Sequence, residues 1–197
     1  LMDYLINFNI NTFILSVGYK HESFASHFTN DYKGCSVLFA VENEPMGTGG
    51  GIFKALEYCE TENILILNAD TFFRLDIDEM YLQHKKTNAG ITIALRKMDD
   101  VSRYGSVEMD NSYRITTFLE KRLYPLAGYI NGGVYLVNKS VIAKCNLPEK
   151  FSFEKDFLEK NTKDLLIQGF PSSSYFLDMG VPADYNKAQH DFKRLQY

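Results

Sequence analysis

Short unbroken apolar runs punctuate this chain, each closed by glycine or a polar turn. Those at 12–17, 37–41, 63–68, 91–95 and 133–137 predict buried strands. The run Asn63-Ile64-Leu65-Ile66-Leu67-Asn68 is the strongest of them. Between these runs the apolar positions recur at helical spacing. Leu1, Met2, Leu5 and Ile6 form one such set, and Ile52, Phe53, Leu56 and Tyr58 lie in another. Helices are also predicted at 23–28, 80–86 and 153–159. Strands alternating with helices imply an α/β fold with a parallel sheet. After Tyr104 the pattern changes. Two short runs, 107–109 and 115–118, flank the turn-like Asp110-Asn111-Ser112 and predict a hairpin. A late strand at 174–177 leads into Asp178.

Composition narrows the function. With 197 residues one domain over 1–197 is expected. The formal charge of -4, from 21 Lys+Arg against 25 Asp+Glu, argues against nucleic acid as a partner, because non-specific binding to it needs a basic surface. Cys35, Cys59 and Cys145 are widely spaced and odd in number, which reads as reduced thiols of a cytoplasmic protein. His21, His27, His84 and His190 lack zinc-site spacing. No segment approaches about 18 uninterrupted apolar residues, so no membrane span is expected. The chain opens at Leu1-Met2-Asp3-Tyr4-Leu5-Ile6, which reads as the middle of a helix.

Five features are able to carry chemistry. Asp70 directly follows the strongest strand, and ligands of open parallel sheets sit at the carboxyl ends of strands. Such an aspartate can hold Mg²⁺ against phosphate oxygens. A lone Asp there is as readily a helix cap or turn residue. Glu44-Pro45-Met46-Gly47-Thr48-Gly49-Gly50-Gly51 precedes a helix. Its glycines permit close approach of a ligand, and a helix N-terminus favours anions. It is neither a Walker loop nor GxGxxG, and a flexible glycine-rich cap would look the same. Asp178 follows a second apolar run and can share one divalent ion with Asp70, or serve a turn beside Gly180 and Pro182. Glu120-Lys121 can bind a sugar hydroxyl and a phosphate, or be an ordinary exposed pair. Gly105 and Asn131-Gly132-Gly133 place glycine beside a strand, where a sugar or a plain bulge fits.

Order and spacing say more than any single feature. The series E-P-M-G-T-G-G (44–50), L-N-A-D-T (67–71), R-Y-G-S-V (103–107), F-L-E-K (118–121), I-N-G-G-V-Y (130–135) and F-L-D-M-G (176–180) resembles the nucleotidyltransferase family that makes nucleotide-diphosphate sugars. Within it the series is similar to the guanylyl- and mannose-type branch, and there to bacterial D-glycero-D-manno-heptose 1-phosphate guanylyltransferases. The resemblance covers essentially the whole chain. It implies a Rossmann-like, mostly parallel mixed sheet flanked by helices. It also implies a metal on Asp70 and Asp178. Glu44, Pro45, Gly47, Thr48 and Gly49 would line the base and ribose pocket. Gly105, Glu120, Lys121 and Asn131 would contact the sugar phosphate. The family's opening strand, its G-G-x-G-T-R loop and its K-P lysine are not found, so about 30 residues of the family pattern are absent. Truncation is favoured over a degenerate copy, because the pocket residues further along are intact.

The reaction so implied is attack of a sugar 1-phosphate oxygen on the α-phosphorus of a nucleoside triphosphate. It needs alignment and charge neutralisation more than a general base. A phosphate monoester oxygen is already anionic near pH 7, with a second pKa of about 6, and no Ser-His-Asp or Cys-His arrangement is expected. Asp70, Lys121 and Asp178 would be the catalytic groups, with Mg²⁺ as cofactor. A carboxylate at Glu44 is compatible with the N1–H and N2 donors of guanine. The resemblance leaves room for a homo-oligomer. Two other classes fit parts of the pattern. One is a nucleotide-sugar-binding subunit without turnover. The other is a glycosyltransferase, although the one D-x-D, Asp76-Ile77-Asp78, reads as a helix start.

Overall fold

The apolar run at 91–95 becomes the middle of the molecule. Ile91, Ile93, Ala94 and Leu95 are sealed from solvent. The computed structural model describes residues 1–102, 104–119 and 126–195. Its elements begin with α1 (Met2–Ile6), β1 (Thr12–Val17), α2 (His21–Phe28), β2 (Asp31–Tyr32), β3 (Cys35–Val41), α3 (Gly47–Leu56), β4 (Asn63–Leu67), β5 (Thr71–Phe73) and α4 (Ile77–Thr87). They continue with β6 (Ile91–Met98), β7 (Ser106–Met109), β8 (Ile115–Leu119), β9 (Gly128–Asn138), α5 (Lys139–Ala143), a π-helix (Phe153–Leu158), α6 (Glu159–Asn161), β10 (Ile167–Ser172), β11 (Phe176–Asp178) and α7 (Pro182–Asp191).

The strands form a mixed arrangement. The largest sheet runs β10-β6-β9-β7-β8, with β4 on the other flank of β9. β6 and β10 are parallel, as are β1 and β3 in a smaller sheet ordered β1-β3-β2. β9 runs antiparallel to β4, β6 and β7. β8 also runs antiparallel to β7, on the side away from β9, so β8 and β9 share one direction. β5 and β11 form a separate two-stranded antiparallel ribbon. Among the described residues β1 and β4 each leave one edge without a strand partner. The five residues of β4 are accordingly only half-buried, despite being the most apolar run in the sequence.

Strand alternation divides the core in two. Tyr135 and Val137 of β9, with Ile64 and Ile66 of β4, face a cluster completed by Leu56, Ile142, Phe153 and Phe157. Val134 and Leu136, with Leu65 and Leu67, face the other, which holds Tyr4, Phe72, Phe73 and Met80. Helices cover both faces. The D-x-D is a helix start: Asp76 caps α4 by accepting from the Glu79 amide at 2.9 Å. On α4, His84 is 2% exposed. Its Nδ1 meets Thr92 Oγ1 at 2.8 Å and its Nε2 meets Asn63 Oδ1 at 3.2 Å. Burial lowers its pKa. Among the described residues no helix is long and apolar enough to cross a membrane.

Two expectations shift. The loop before α3 was expected to extend through Gly51, but the helix already begins at Gly47. The helix expected at 153–159 is a π-helix passing into the short α6.

Candidate active site

Asp70 and Asp178 meet through the β5–β11 ribbon. Asp178 pairs with Thr71, Leu177 with Phe72 and Phe176 with Phe73. The Met179 amide donates to the Asp70 carbonyl at 2.7 Å. Apolar packing explains why these short strands associate. Phe72, Phe73 and Leu177 are buried, and the Phe73 and Phe176 rings meet edge to face at 5.2 Å. Phe72 packs similarly on Phe192 at 5.1 Å. The ribbon is thus anchored by its interior side chains and presents its aspartates at one end. Asp70 Oδ1 has only a long contact of 3.4 Å with the Thr71 hydroxyl. Asp178 Oδ1 accepts from the Gly180 amide at 2.8 Å. Among the described residues the other carboxylate oxygen of each accepts no protein hydrogen bond. No group of three or more His, Cys, Asp and Glu forms a metal cage among those residues. The donor set is therefore two carboxylates with free oxygens. That suits Mg²⁺, which takes one or two carboxylates and fills its shell with water and phosphate.

The Gly105 and Asn131 positions are also brought together. The Asn131 amide donates to the Gly105 carbonyl at 2.7 Å. Two glycines let this part of β9 pass close to β5 and to Asn68. A Cβ on Gly132 would lie 2.6 Å from the Phe73 ring of β5. Gly133 has φ +67 and would place a Cβ 3.0 Å from Asn68 Nδ2, so both left-handed backbone and close approach require glycine there. The Asn68 amide in turn donates to the Gly133 carbonyl at 2.8 Å. Between Ile93 and Leu95 the β6–β9 register shifts, a bulge that begins at Asn131, the partner of Leu95. Glu120 and Lys121 lie outside the described residues.

The Glu44–Gly51 segment is held by residues 149–154, which cross its face. The Gly49 amide donates to the Phe151 carbonyl at 2.9 Å, and the Phe151 amide to the Met46 carbonyl at 3.1 Å. Thr48 Oγ1 donates to Glu154 Oε2 at 2.8 Å and accepts from the Phe153 amide at 2.9 Å. The glycines make room for this crossing. A Cβ on Gly47 would lie 2.5 Å from the Phe151 carbonyl oxygen, and one on Gly49 2.1 Å from its ring. Glu44 is exposed and paired with Lys150 at 2.6 Å. The Lys150 ammonium holds its carboxyl below the usual range, so it stands as an anionic acceptor. Glu44 borders a cleft of about 640 Å³ shared with Met46, Phe53 and Lys150. That cleft does not include Asp70, Asp178 or Asn131, so it can hold one end of an extended ligand and not the reacting centre.

Sequence reasoning missed the residue joining these parts. Tyr135, sealed from solvent, accepts from Asn131 Nδ2 at 2.6 Å and donates to Glu154 Oε1 at 3.3 Å. Burial, then the nearby Glu154 charge, push its phenol pKa well up. It stands inside the I-N-G-G-V-Y series, but an apolar strand gives no hint of a hydroxyl at work. Glu154 and Lys150 carried no signal at all.

The chain belongs to the nucleotidyl transferase family, whose model matches residues 1–194. A D-glycero-alpha-D-manno-heptose 1-phosphate guanylyltransferase of Aneurinibacillus thermoaerophilus is 45% identical over 194 residues, covering 98% of this chain and 82% of that protein. Its namesake in Campylobacter jejuni is 38% identical over 185 residues, 94% of this chain and 80% of that one. The crystal structure of HddC from Yersinia pseudotuberculosis complexed with GMP-PN matches with a TM-score of 0.85 at 35% identity, over 98% of this chain and 83% of that one. The fold is thus the nucleotide-diphospho-sugar transferase type expected from the sequence.

Proposed function

We propose that this chain transfers a guanylyl group from GTP to a manno-heptose 1-phosphate, giving the GDP-sugar and pyrophosphate. The observation that carries the reading is the β5–β11 pairing, which brings Asp70 and Asp178 to the same end of one ribbon. Two relatives bearing the heptose guanylyltransferase name, at 45% and 38% identity, support the choice of base and sugar. In the reaction an anionic sugar-phosphate oxygen forms a bond to the α-phosphorus, and the bond to the pyrophosphate oxygen breaks. Asp70 and Asp178 would hold Mg²⁺, which supplies positive charge to phosphate oxygens. Gly105, Glu120, Lys121 and Asn131 would bind the sugar phosphate. Glu44, kept anionic by Lys150, accepts from the N1–H and N2 donors of guanine. Pro45, Gly47, Thr48 and Gly49 shape the pocket for base and ribose. The free thiols Cys35, Cys59 and Cys145 support a cytoplasmic setting.

The test is pyrophosphate release and GDP-heptose formation from GTP, heptose 1-phosphate and Mg²⁺. Asp70→Asn is expected to lower kcat by about 10²–10³-fold while nucleotide binding without metal changes little. Equal turnover of the variant at saturating Mg²⁺ would remove Asp70 from the metal site. Product formed from another base or sugar in preference would overturn the substrate assignment.

A further inference from the structure

We propose that Tyr135 is a positioning residue whose hydroxyl couples the nucleotide loop to the sugar-phosphate strand, so that filling one subsite tightens the other. The inference rests on the roles given above to Thr48 and Asn131, and goes beyond them.

Those two residues are 83 positions apart in sequence, yet two further side chains connect them. Asn131 Nδ2 lies 2.6 Å from the Tyr135 hydroxyl. That hydroxyl lies 3.3 Å from Glu154 Oε1. The other oxygen of the same carboxylate accepts from Thr48 at 2.8 Å and from the Ser152 hydroxyl at 3.2 Å. One phenol therefore links Asn131 of β9, through the Glu154 carboxylate, to Thr48 of the glycine loop.

The surroundings let the chain of bonds transmit a change. Tyr135 is sealed from solvent, and its ring packs edge to face on Phe153 at 5.3 Å. The ring cannot swing away, and water cannot replace a lost partner. Among the described residues no buried side-chain polar atom lacks a partner. A buried donor or acceptor left alone is costly, so a bond surrendered to a ligand at Asn131 must be rebalanced at Glu154 and Thr48. Glu154 stands on the π-helix, a geometry often found at functional sites. Coupling of this kind is reciprocal between two ligands by thermodynamic necessity.

The experiment is calorimetric titration of the chain with a non-hydrolysable GTP analogue, with and without saturating heptose 1-phosphate, in Mg²⁺. In the wild-type protein the sugar phosphate is expected to tighten nucleotide binding on the order of tenfold. In Tyr135→Phe, which keeps the ring, the ratio should fall to about one, with each separate affinity within about threefold. Glu154→Gln keeps the side chain's shape and should lose the coupling too, so the idea stays testable if the phenylalanine variant folds poorly. A lowered melting temperature with the ratio unchanged would make Tyr135 a packing residue and overturn the proposal. Equally, no coupling in wild type although both ligands bind would overturn it while leaving the proposed reaction standing. If neither ligand binds the wild-type chain, the proposed reaction falls and this role falls with it.

Discussion

The aspartate ribbon and the glycine loop make opposite use of their polar groups. In the ribbon the bonds that hold β5 to β11 are backbone bonds and aromatic contacts, and each carboxylate keeps an oxygen uncommitted. In the loop nearly everything is spent internally. Thr48 both donates and accepts, the Gly49 amide is bonded, and the space above Gly47 and Gly49 is filled by Phe151. A ligand-binding role is thus easier to read from what a group leaves unsatisfied than from its residue type. Glycines that suggest room for a phosphate here make room for the protein's own backbone.

The largest effect should come from the open side of this contrast. Asp178→Asn is expected to cut kcat by about 10²–10³-fold with little change in melting temperature, because the carboxylate supports the fold through one amide bond only. A large loss of stability with kcat retained would make Asp178 a turn residue. Next comes the loop. Gly47→Ala should cost about 2–4 kcal/mol in denaturant unfolding, from left-handed backbone and a backbone clash together. Gly49→Ala meets only a side chain, so adding Phe151→Leu should recover part of its loss. Failure of that rescue would mean the glycine serves a ligand rather than packing.

His84 sharpens the comparison from a site where everything is satisfied. Its folded pKa lies below its unfolded value of about 6.5. As pH falls through that value, the unfolded chain takes up a proton that the folded chain resists. Stability is therefore full above about pH 6.5 and declines below it. His84→Gln should flatten the melting temperature against pH below about 6.5; an unchanged slope would assign the acid sensitivity to another group. The smallest effect belongs to Lys150→Ala. The Lys150–Glu44 pair is exposed, so the melting temperature should barely move. Guanine nucleotide affinity should change measurably, and in the direction of the net effect of freeing Glu44. No change in affinity would place Glu44 outside the base pocket.

How legible was all this in the chain itself? Apolar runs announce themselves, and β1, β3, β4, β6 and the β7–β8 hairpin stand where those runs put them. So does the capped start of α4 at Asp76. The ordered series of short segments led to the right family. What stayed hidden depends on partners distant in sequence. β5 and β11 span three residues each, too short for any period, and exist because each supplies the other's bonds. β10 contains Gly169 and Pro171, which argue against a strand until the parallel partner β6 is known. The start of α3 at Gly47 defied propensity because residues 149–151 hold its first turn. Tyr135 was hidden for the same reason: its role is fixed by Asn131 and Glu154, not by its neighbours in the strand.

Among the described residues β1 and β4 each leave one strand edge open. Such an edge is a template for a further strand, and natural proteins usually blunt exposed ones with charge, proline or a bulge. The run Asn63-Ile64-Leu65-Ile66-Leu67 carries none of these, so its edge is built to accept a strand rather than to refuse one.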